Sequence, residues 1–282
     1  MKLLVDAGST KTHWCIIQND QLINQFFTAG INPNLEEIHS IIENLRLELP
    51  TNFTKSSKQK FDGIYYYGSG CSDINNQEKI KEVLFHFFDS AKIEVYSDLV
   101  GAARACFQWQ DGIICILGTG SSCALYKNGC IEFIIPSYGY LIGDEGSGAN
   151  LGLHLLSSFV SGQLPTDLKF RLETEFELRR EKIIESLYKN KYPNRYLAGF
   201  VRFIADNRDN AFIANLILNS FSDFIKNQIT RVPDFSQYKI SFCGSVAFYL
   251  KEELSQVLKN NNLELGKVLS SPMDGLINFH KV

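Results

Sequence analysis

Two short stretches hold residues whose types and spacing suit phosphate chemistry. The first is Asp6-Ala7-Gly8-Ser9-Thr10-Lys11-Thr12, set between the apolar runs Leu3–Val5 and His13–Ile17. This pattern predicts a β-hairpin with a tight, hydroxyl-lined turn. Gly8 lets the backbone turn and a ligand approach closely. Ser9, Thr10 and Thr12 add hydroxyls and Lys11 a positive charge. Backbone N–H groups in such a turn can surround phosphate oxygens. Asp6 would repel a phosphate directly, but it is placed to hold a hydrated Mg²⁺ that binds one. The G-x-x-x-x-G-K-[ST] pattern is absent and the turn leads into a strand, so this is not a Walker A loop. An ordinary hairpin with a polar tip is the competing reading.

The second stretch is Gly118-Thr119-Gly120-Ser121-Ser122. A strand is predicted before it (Gly112–Leu117) and another after it (Cys123–Tyr126). Asn128-Gly129 then signals a type I′ turn into a strand over Cys130–Ile135. The order repeats that of residues 3–27, with Gly8-Ser9-Thr10 matched to Gly120-Ser121-Ser122, 112 residues later. Two copies of one phosphate turn imply two related domains facing each other. The expected division is 1–110, then 111–270 with a helical insertion, then a segment 271–282 that could return to the first domain.

The elements that must position these turns follow from periodicity. A third strand over Gln21–Phe27 follows a turn at Asn19-Asp20, and a helix is predicted over 35–49. Residues 51–60 read as a polar, flexible connection. A strand over Phe61–Tyr67 leads into a helix through Ile80, Val83, Leu84, Phe87 and Phe88. The next strand, Ile93–Tyr96, ends at Ser97-Asp98, before a helix rich in small residues. The Gly-rich run Ser137–Asn150 opens another helix, and residues 166–230 read as mostly helical, with Arg171–Lys182 a solvated face. A strand at 239–246 ends in Gly244-Ser245, opening a helix to about Leu258. Such an N-terminus commonly meets a nucleotide's ribose and phosphate. Residues 271–276 form a turn into a short final helix.

The chain has 282 residues and a net charge of −3, so no basic excess points to nucleic acid or an anionic membrane. Met1 is followed at once by Lys2 and a strand, not by a signal peptide. No apolar run nears the ~20 residues of a spanning helix. A cytoplasmic protein is expected. The seven cysteines form no C-x-x-C pair and read as small core residues in a reducing compartment. The five histidines have no zinc-ligand spacing.

Asp6–Thr12, Leu117-Gly118-Thr119-Gly120-Ser121 and Phe242-Cys243-Gly244-Ser245-Val246 together resemble the two phosphate motifs and the adenosine motif of the sugar kinase/actin/heat-shock ATPase superfamily. Ser97-Asp98, the Gly-Thr-Gly-Ser turn and Gly143-Asp144-Glu145-Gly146-Ser147 bring the chain closer to its N-acetylglucosamine kinase and BadF/BcrA-type ATPase branch. The resemblance implies an α/β chain of two ribonuclease-H-like domains, as in actin-like ATPases, around a central cleft. They would close on ATP, Mg²⁺ and an amino sugar.

By the same resemblance, Asp98 is the base that takes the proton of the sugar 6-hydroxyl. Gly8, Ser9, Thr10, Lys11, Thr12, Gly118, Thr119, Gly120, Gly244 and Ser245 meet the nucleotide, and Asp6 holds the metal. Asn32, Gly70, Asp98, Gly120, Ser121 and Asp144 meet the sugar. Plain structural readings compete: Asp98 or Ser97 as a helix cap, Asp144 as a cap shared with Ser147, Asn32 as a turn former before Pro33. Cys71 and Cys130 are isolated, which argues against the paired cluster-binding cysteines of the BadF/BcrA activators. An amino-sugar 6-kinase is expected, acting as a homodimer with no nucleic-acid or membrane partner. The alternatives are an ATPase driving a partner protein and a non-catalytic sugar sensor.

Overall fold

A computed structural model describes residues 1–51, 53 and 59–281. Most of the expected 51–60 connection lies outside the described residues. The chain separates into two units, one of residues 1–110, 128–130 and 271–282, the other of residues 111–127 and 131–270.

In the first unit, β1 (Lys2–Ala7), β2 (Lys11–Gln18) and β3 (Gln21–Ala29) form an antiparallel meander. Asn19 and Asp20 both take positive φ in the β2–β3 turn, the geometry that suits the twist of a two-residue hairpin. After α1 (Ile38–Glu48), a short strand β4 (Gln59–Phe61) precedes β5 (Gly63–Gly68). Then come α2 (Ile74–Phe87), β6 (Phe88–Ser90), β7 (Ile93–Ser97) and α3 (Asp98–Phe107). The main sheet has the order β3-β2-β1-β5-β7, with β1, β5 and β7 parallel, while β4 and β6 form a separate parallel pair. Neither β4 nor β6 is legible as a strand from periodicity. Each is three residues long and gains its identity from the other.

The alternation of side chains along β1 and β5 divides this unit's interior in two. Val5, Ala7, Ile64 and Tyr66 join a core with Trp14, Ile31, Ile41, Cys71 and the apolar side of α2. Tyr65 and Tyr67 point the other way, against the end of the chain. There Tyr67 Oη lies 2.7 Å from His280 Nε2 and receives Arg104 Nη1 at 2.9 Å. The Arg104 guanidinium also covers the Tyr96 and Phe279 rings at 4.1 and 4.9 Å. Burial holds His280 down to about 4, helped by Arg104, so the imidazole is neutral at pH 7 and Nε2 accepts from Tyr67. The final helix is thereby fastened to the helix that carries Asp98.

The second unit repeats the plan. Its strands β8 (Gly112–Leu117), β9 (Ser121–Lys127), β10 (Cys130–Ile134), β11 (Ile240–Cys243) and β12 (Leu265–Leu269) have the order β10-β9-β8-β11-β12. Between β10 and β11 six α-helices intervene: α4 (Gly148–Val160), α5 (Thr166–Phe176), α6 (Arg180–Tyr188), α7 (Pro193–Ala198), α8 (Val201–Asp206) and α9 (Ala211–Asn227). The solvated face expected over 171–182 is broken at Glu177, whose left-handed φ of 48° ends α5. The helix expected to run from Gly244 to Leu258 is also two, α10 (Ser245–Tyr249) and α11 (Lys251–Asn260), parted at Leu250. The chain ends in α12 (Met273–Phe279). Six cysteines are buried as expected, but Cys130 is exposed at the start of β10.

Both units have one α/β architecture. A three-stranded meander is extended by two parallel strands, the ribonuclease-H-like arrangement of actin-like ATPases. No described helix is long and apolar enough to cross a membrane.

Candidate active site

The first turn spans Gly8–Thr10, closed by Gly8 N–H donating to the Lys11 carbonyl at 3.0 Å. It rests on Gly30, whose N–H donates to the Thr10 carbonyl at 3.0 Å; a Cβ at Gly30 would lie 2.5 Å from the Ser9 carbonyl carbon. Only a residue without a side chain fits there. Lys11 is exposed at the turn, its ammonium 4.8 Å from the centre of the Phe27 ring. Thr12 behaves differently from its expected role. It is fully buried and its hydroxyl donates to the Ala29 carbonyl at 3.0 Å, so it ties β2 to β3 and cannot touch a ligand.

Asp6 lies at the end of β1, beside this turn. Burial is the main reason its carboxyl is pushed up to about 7; the charge of Asp98 adds to the rise and Lys11 opposes it. Asp98 is likewise raised by burial, with the Leu99 N–H opposing. Two neighbouring carboxylates with one nearby ammonium suit a cation site. Asp6 therefore fits the Mg²⁺ role: a divalent cation there would restore its charge.

Asp98 is the first residue of α3. The cap is Ser97, whose hydroxyl accepts the Val100 N–H at 3.4 Å. Asp98 Oδ1 accepts the N–H of Leu99 at 2.9 Å, which fixes the carboxylate and leaves Oδ2 outside that bond.

On the same unit, Asn32 and Gly70 come together as expected: a Cβ on Gly70 would lie 3.0 Å from Asn32 Oδ1. Asn34 and Asn76, both missed in sequence, join them. Asn76 Nδ2 donates to Asn34 Oδ1 at 2.6 Å and to the Gly70 carbonyl at 2.9 Å. Asn32 Oδ1 accepts the Asn34 N–H at 3.1 Å, so its turn-forming role is real. Glu36, also missed, accepts the Asn32 N–H at 3.0 Å. An Asn/Gly loop gives no sign in sequence of which distant amide will close it.

The second turn, Gly118–Gly120, belongs to the other unit. Gly118 N–H donates to the Gly120 carbonyl at 3.0 Å. Its pairing corrects the expected correspondence. Leu117 faces Ser121 as Ala7 faces Thr12, so Gly8 matches Gly118 and not Gly120. The amides of Gly148 and Ala149, which open α4, donate to the Gly118 and Thr119 carbonyls at 2.8 and 3.0 Å.

Asp144 has a left-handed φ of 57° and is buried. It accepts from the Ser137 hydroxyl at 3.1 Å and from the Ser121 backbone N–H. Burial raises its pKa and these two bonds oppose the rise. The cap of α4 is Ser147 alone, which accepts the Asn150 N–H at 3.1 Å; Asp144 does not share it. A Cβ on Gly120 would lie 3.0 Å from Asp144 Oδ2, so Asp144 reaches the turn itself. Ser121 is 5% exposed with its hydroxyl buried and unpartnered. Its backbone supports Asp144; its side chain does not face outward as expected. Glu145 anchors the loop, accepting from Asn227 Nδ2 at 2.9 Å and Gln228 Nε2 at 3.3 Å.

Gly244, with φ of 117°, backs this second turn: a Cβ would lie 2.4 Å from the Leu117 carbonyl oxygen. Its N–H donates to Leu269 at 2.9 Å, so that amide is not available to a phosphate, and α10 behind it has only five residues. Ser245 begins that helix.

No family model matches the chain. A solved structure from Porphyromonas gingivalis, described as a putative N-acetylglucosamine kinase, is 40% identical and superposes with a TM-score of 0.92 over 100% of this chain and 99% of that one. The chain belongs to the N-acetylglucosamine kinase branch of the sugar kinase/actin/heat-shock ATPase superfamily. An N-acetylmuramic acid/N-acetylglucosamine kinase of Clostridium acetobutylicum is 25% identical over 209 residues, 71% of this chain and 68% of its own. A second structure described in the same terms, from Chromobacterium violaceum, shares the fold at a TM-score of 0.72 and 16% identity, covering 99% and 98% of the two chains.

Proposed function

We propose that this protein transfers the γ-phosphoryl group of ATP to the 6-hydroxyl of an amino sugar, N-acetylglucosamine first among them. The observation that carries the reading is the carboxylate pair Asp6 and Asp98 beside the Gly8–Thr10 turn. Phosphoryl transfer needs an oxygen nucleophile in line, relieved of its proton, and neutralised phosphate charge. Asp98, fixed by the Leu99 N–H, is the proton acceptor. Asp6 would hold Mg²⁺, which supplies charge neutralisation on the phosphates when bound.

The turns Gly8–Lys11 and Gly118–Gly120 would cradle the phosphates, with the bend at Gly244-Ser245 toward the nucleoside. Asn32, Gly70 and Asp144 would meet sugar hydroxyls. Thr12 and Ser121 support these groups from behind. The named relatives are sugar kinases, which favours this reading over an ATPase driving a partner or a sugar sensor. A cytoplasmic location and a homodimeric assembly belong to the same proposal; light scattering of the purified chain tests the second.

The deciding experiment measures ADP release from Mg-ATP with and without N-acetylglucosamine. Sugar-dependent ADP and a 6-phosphate product are expected. ADP release indifferent to every amino sugar would refute the kinase reading.

A further inference from the structure

Tyr67 stands in the strand between those that bring the two carboxylates of the proposed site. It is in register with Asp6 on β1 and with Tyr96 on β7, so the three side chains form one row on one face of the sheet. Tyr96 is followed by Ser97, the cap of α3, and then by Asp98. α3 rests on Tyr67 at two points. The first is Gly101, one turn after Asp98. A Cβ there would lie 2.9 Å from Tyr67 Cβ and 3.0 Å from Cγ and Cδ1. Those atoms are the root of the ring and cannot swing aside, so the helix sits on Tyr67 with no room for a methyl group. The second is Arg104, a turn further on, whose Nη1 donates to Tyr67 Oη at 2.9 Å. Tyr67 is itself held from every side: it is fully buried, its ring stacks on Tyr96 at 5.5 Å between centres, and its hydroxyl lies 2.7 Å from His280 Nε2. Alanine is a better helix former than glycine, so helix formation gives no reason for a glycine at position 101. The close seat on Tyr67 does.

We propose that Tyr67 is the positioning residue for Asp98: its ring against Gly101 and its hydroxyl on Arg104 fix the seat of α3, and with it the place of Asp98 relative to Asp6. The assignment rests on the amino-sugar kinase reading, in which Asp6 holds Mg²⁺ and Asp98 takes the sugar proton. In-line transfer needs both carboxylates in place at once, and a misplacement of about 1 Å can cost roughly 10²-fold in rate. Tyr67 and Gly101 touch no reacting atom. Their effect belongs on turnover and not on the binding of sugar or nucleotide.

The test uses the full chain with N-acetylglucosamine and Mg-ATP, well below the melting transition, with rates normalised to folded protein by circular dichroism. Tyr67→Phe keeps the ring and removes the hydroxyl; Gly101→Ala adds one methyl group against the ring. Each should lower kcat roughly tenfold and leave the sugar and ATP KM within about twofold of wild type. Tyr67→Phe lowers Tm whatever its role, because Arg104 and His280 lose a partner, so the split between kcat and KM decides. In an Asp98→Asn background neither variant should lower the residual kcat by more than about twofold, since both act through that carboxylate. An unchanged kcat in either folded variant overturns the proposal. So does a raised KM in place of a lowered kcat, and so do losses that multiply with Asp98→Asn, the mark of a purely structural role. Should Tyr67→Phe fail to fold, Gly101→Ala is read by the same criteria. A wild type that phosphorylates no amino sugar removes the parent reading and this inference together; an active wild type with an unimpaired Gly101→Ala removes this inference alone.

Discussion

The Gly8–Thr10 and Gly118–Gly120 turns occupy the same place in two sheets of the same strand order, yet they are equipped differently. Each is backed by a glycine from a distant segment, Gly30 under the first and Gly244 under the second. Each joins the first two strands of its meander. The strand residue two before the first glycine is Asp6 in one unit and Ile116 in the other. After β7, the last strand of its main sheet, the first unit opens α3 with Asp98, whereas after β12 the second unit's chain passes into α12 of the first unit. The buried carboxylate pair Asp6 and Asp98 thus lies in one unit, to which the proposed function assigns the acid–base and cation roles, and the other has a neutral turn with Asp144 reaching it from the following loop. A duplicated scaffold does not imply duplicated chemistry; two side chains set the division.

That division can be broken most directly at Asp98. Asp98→Asn should lower kcat by roughly 10²–10⁴ with little change in Tm, because the helix cap is Ser97. A coupled assay for ADP reads the first and a thermal melt the second.

The two backing glycines offer a sharper contrast. Gly30→Ala meets backbone at 2.5 Å, while Gly244→Ala meets it at 2.4 Å and also sits at φ of 117°. Both should lower the unfolding free energy measured in urea, Gly244→Ala by about 1–3 kcal/mol more because of the added backbone strain. Equal losses would mean that steric fit alone governs both turns.

Asp144→Asn tests whether the second unit reads the sugar or only braces its turn. The sugar KM should rise roughly tenfold, the scale of a weakened charged hydrogen bond, with the ATP KM little moved. A rise confined to ATP would make Asp144 a brace for Gly120.

The smallest effect is a pH dependence without ligands. Asp6 titrates at about 7 in the fold against 3.8 in a free chain. Between those values the folded state holds a proton that the unfolded state has lost, so stability falls as pH rises from about 4 through 7. Asp6→Asn should therefore raise the ligand-free Tm at pH 8, by about 2–4 °C for each kcal/mol recovered in a chain of this size, and leave it nearly unchanged at pH 4. Mg-ATP should narrow the gap at pH 8 by favouring the ionised wild type.

The meanders, the two turns and the helices of this protein were legible because strand alternation and helical spacing are local signals, and glycine with hydroxyls marks a turn. β12 was not. Leu265-Gly266-Lys267-Val268-Leu269 has a glycine and a lysine at its centre, and becomes a strand by pairing with β11, where Cys243 faces Leu269. The family resemblance puts Thr12 and Ser121 among the ligand contacts, but a motif does not say which way a hydroxyl faces. Thr12 faces the Ala29 carbonyl inside the hairpin, and Ser121 buries its hydroxyl.

Residue order alone determined the pair of glycine turns, the small-residue helix behind Asp98 and the family they belong to, since each rests on neighbours within a few positions. Tertiary structure decided what those residues do. It matched Gly8 with Gly118 through strand register, brought Asp98 near Asp6 across 92 positions, and set Glu36 on the amide of Asn32. Those outcomes depend on burial and long-range pairing, in which a carboxylate's charge and a hydroxyl's direction follow from what the rest of the chain packs around them.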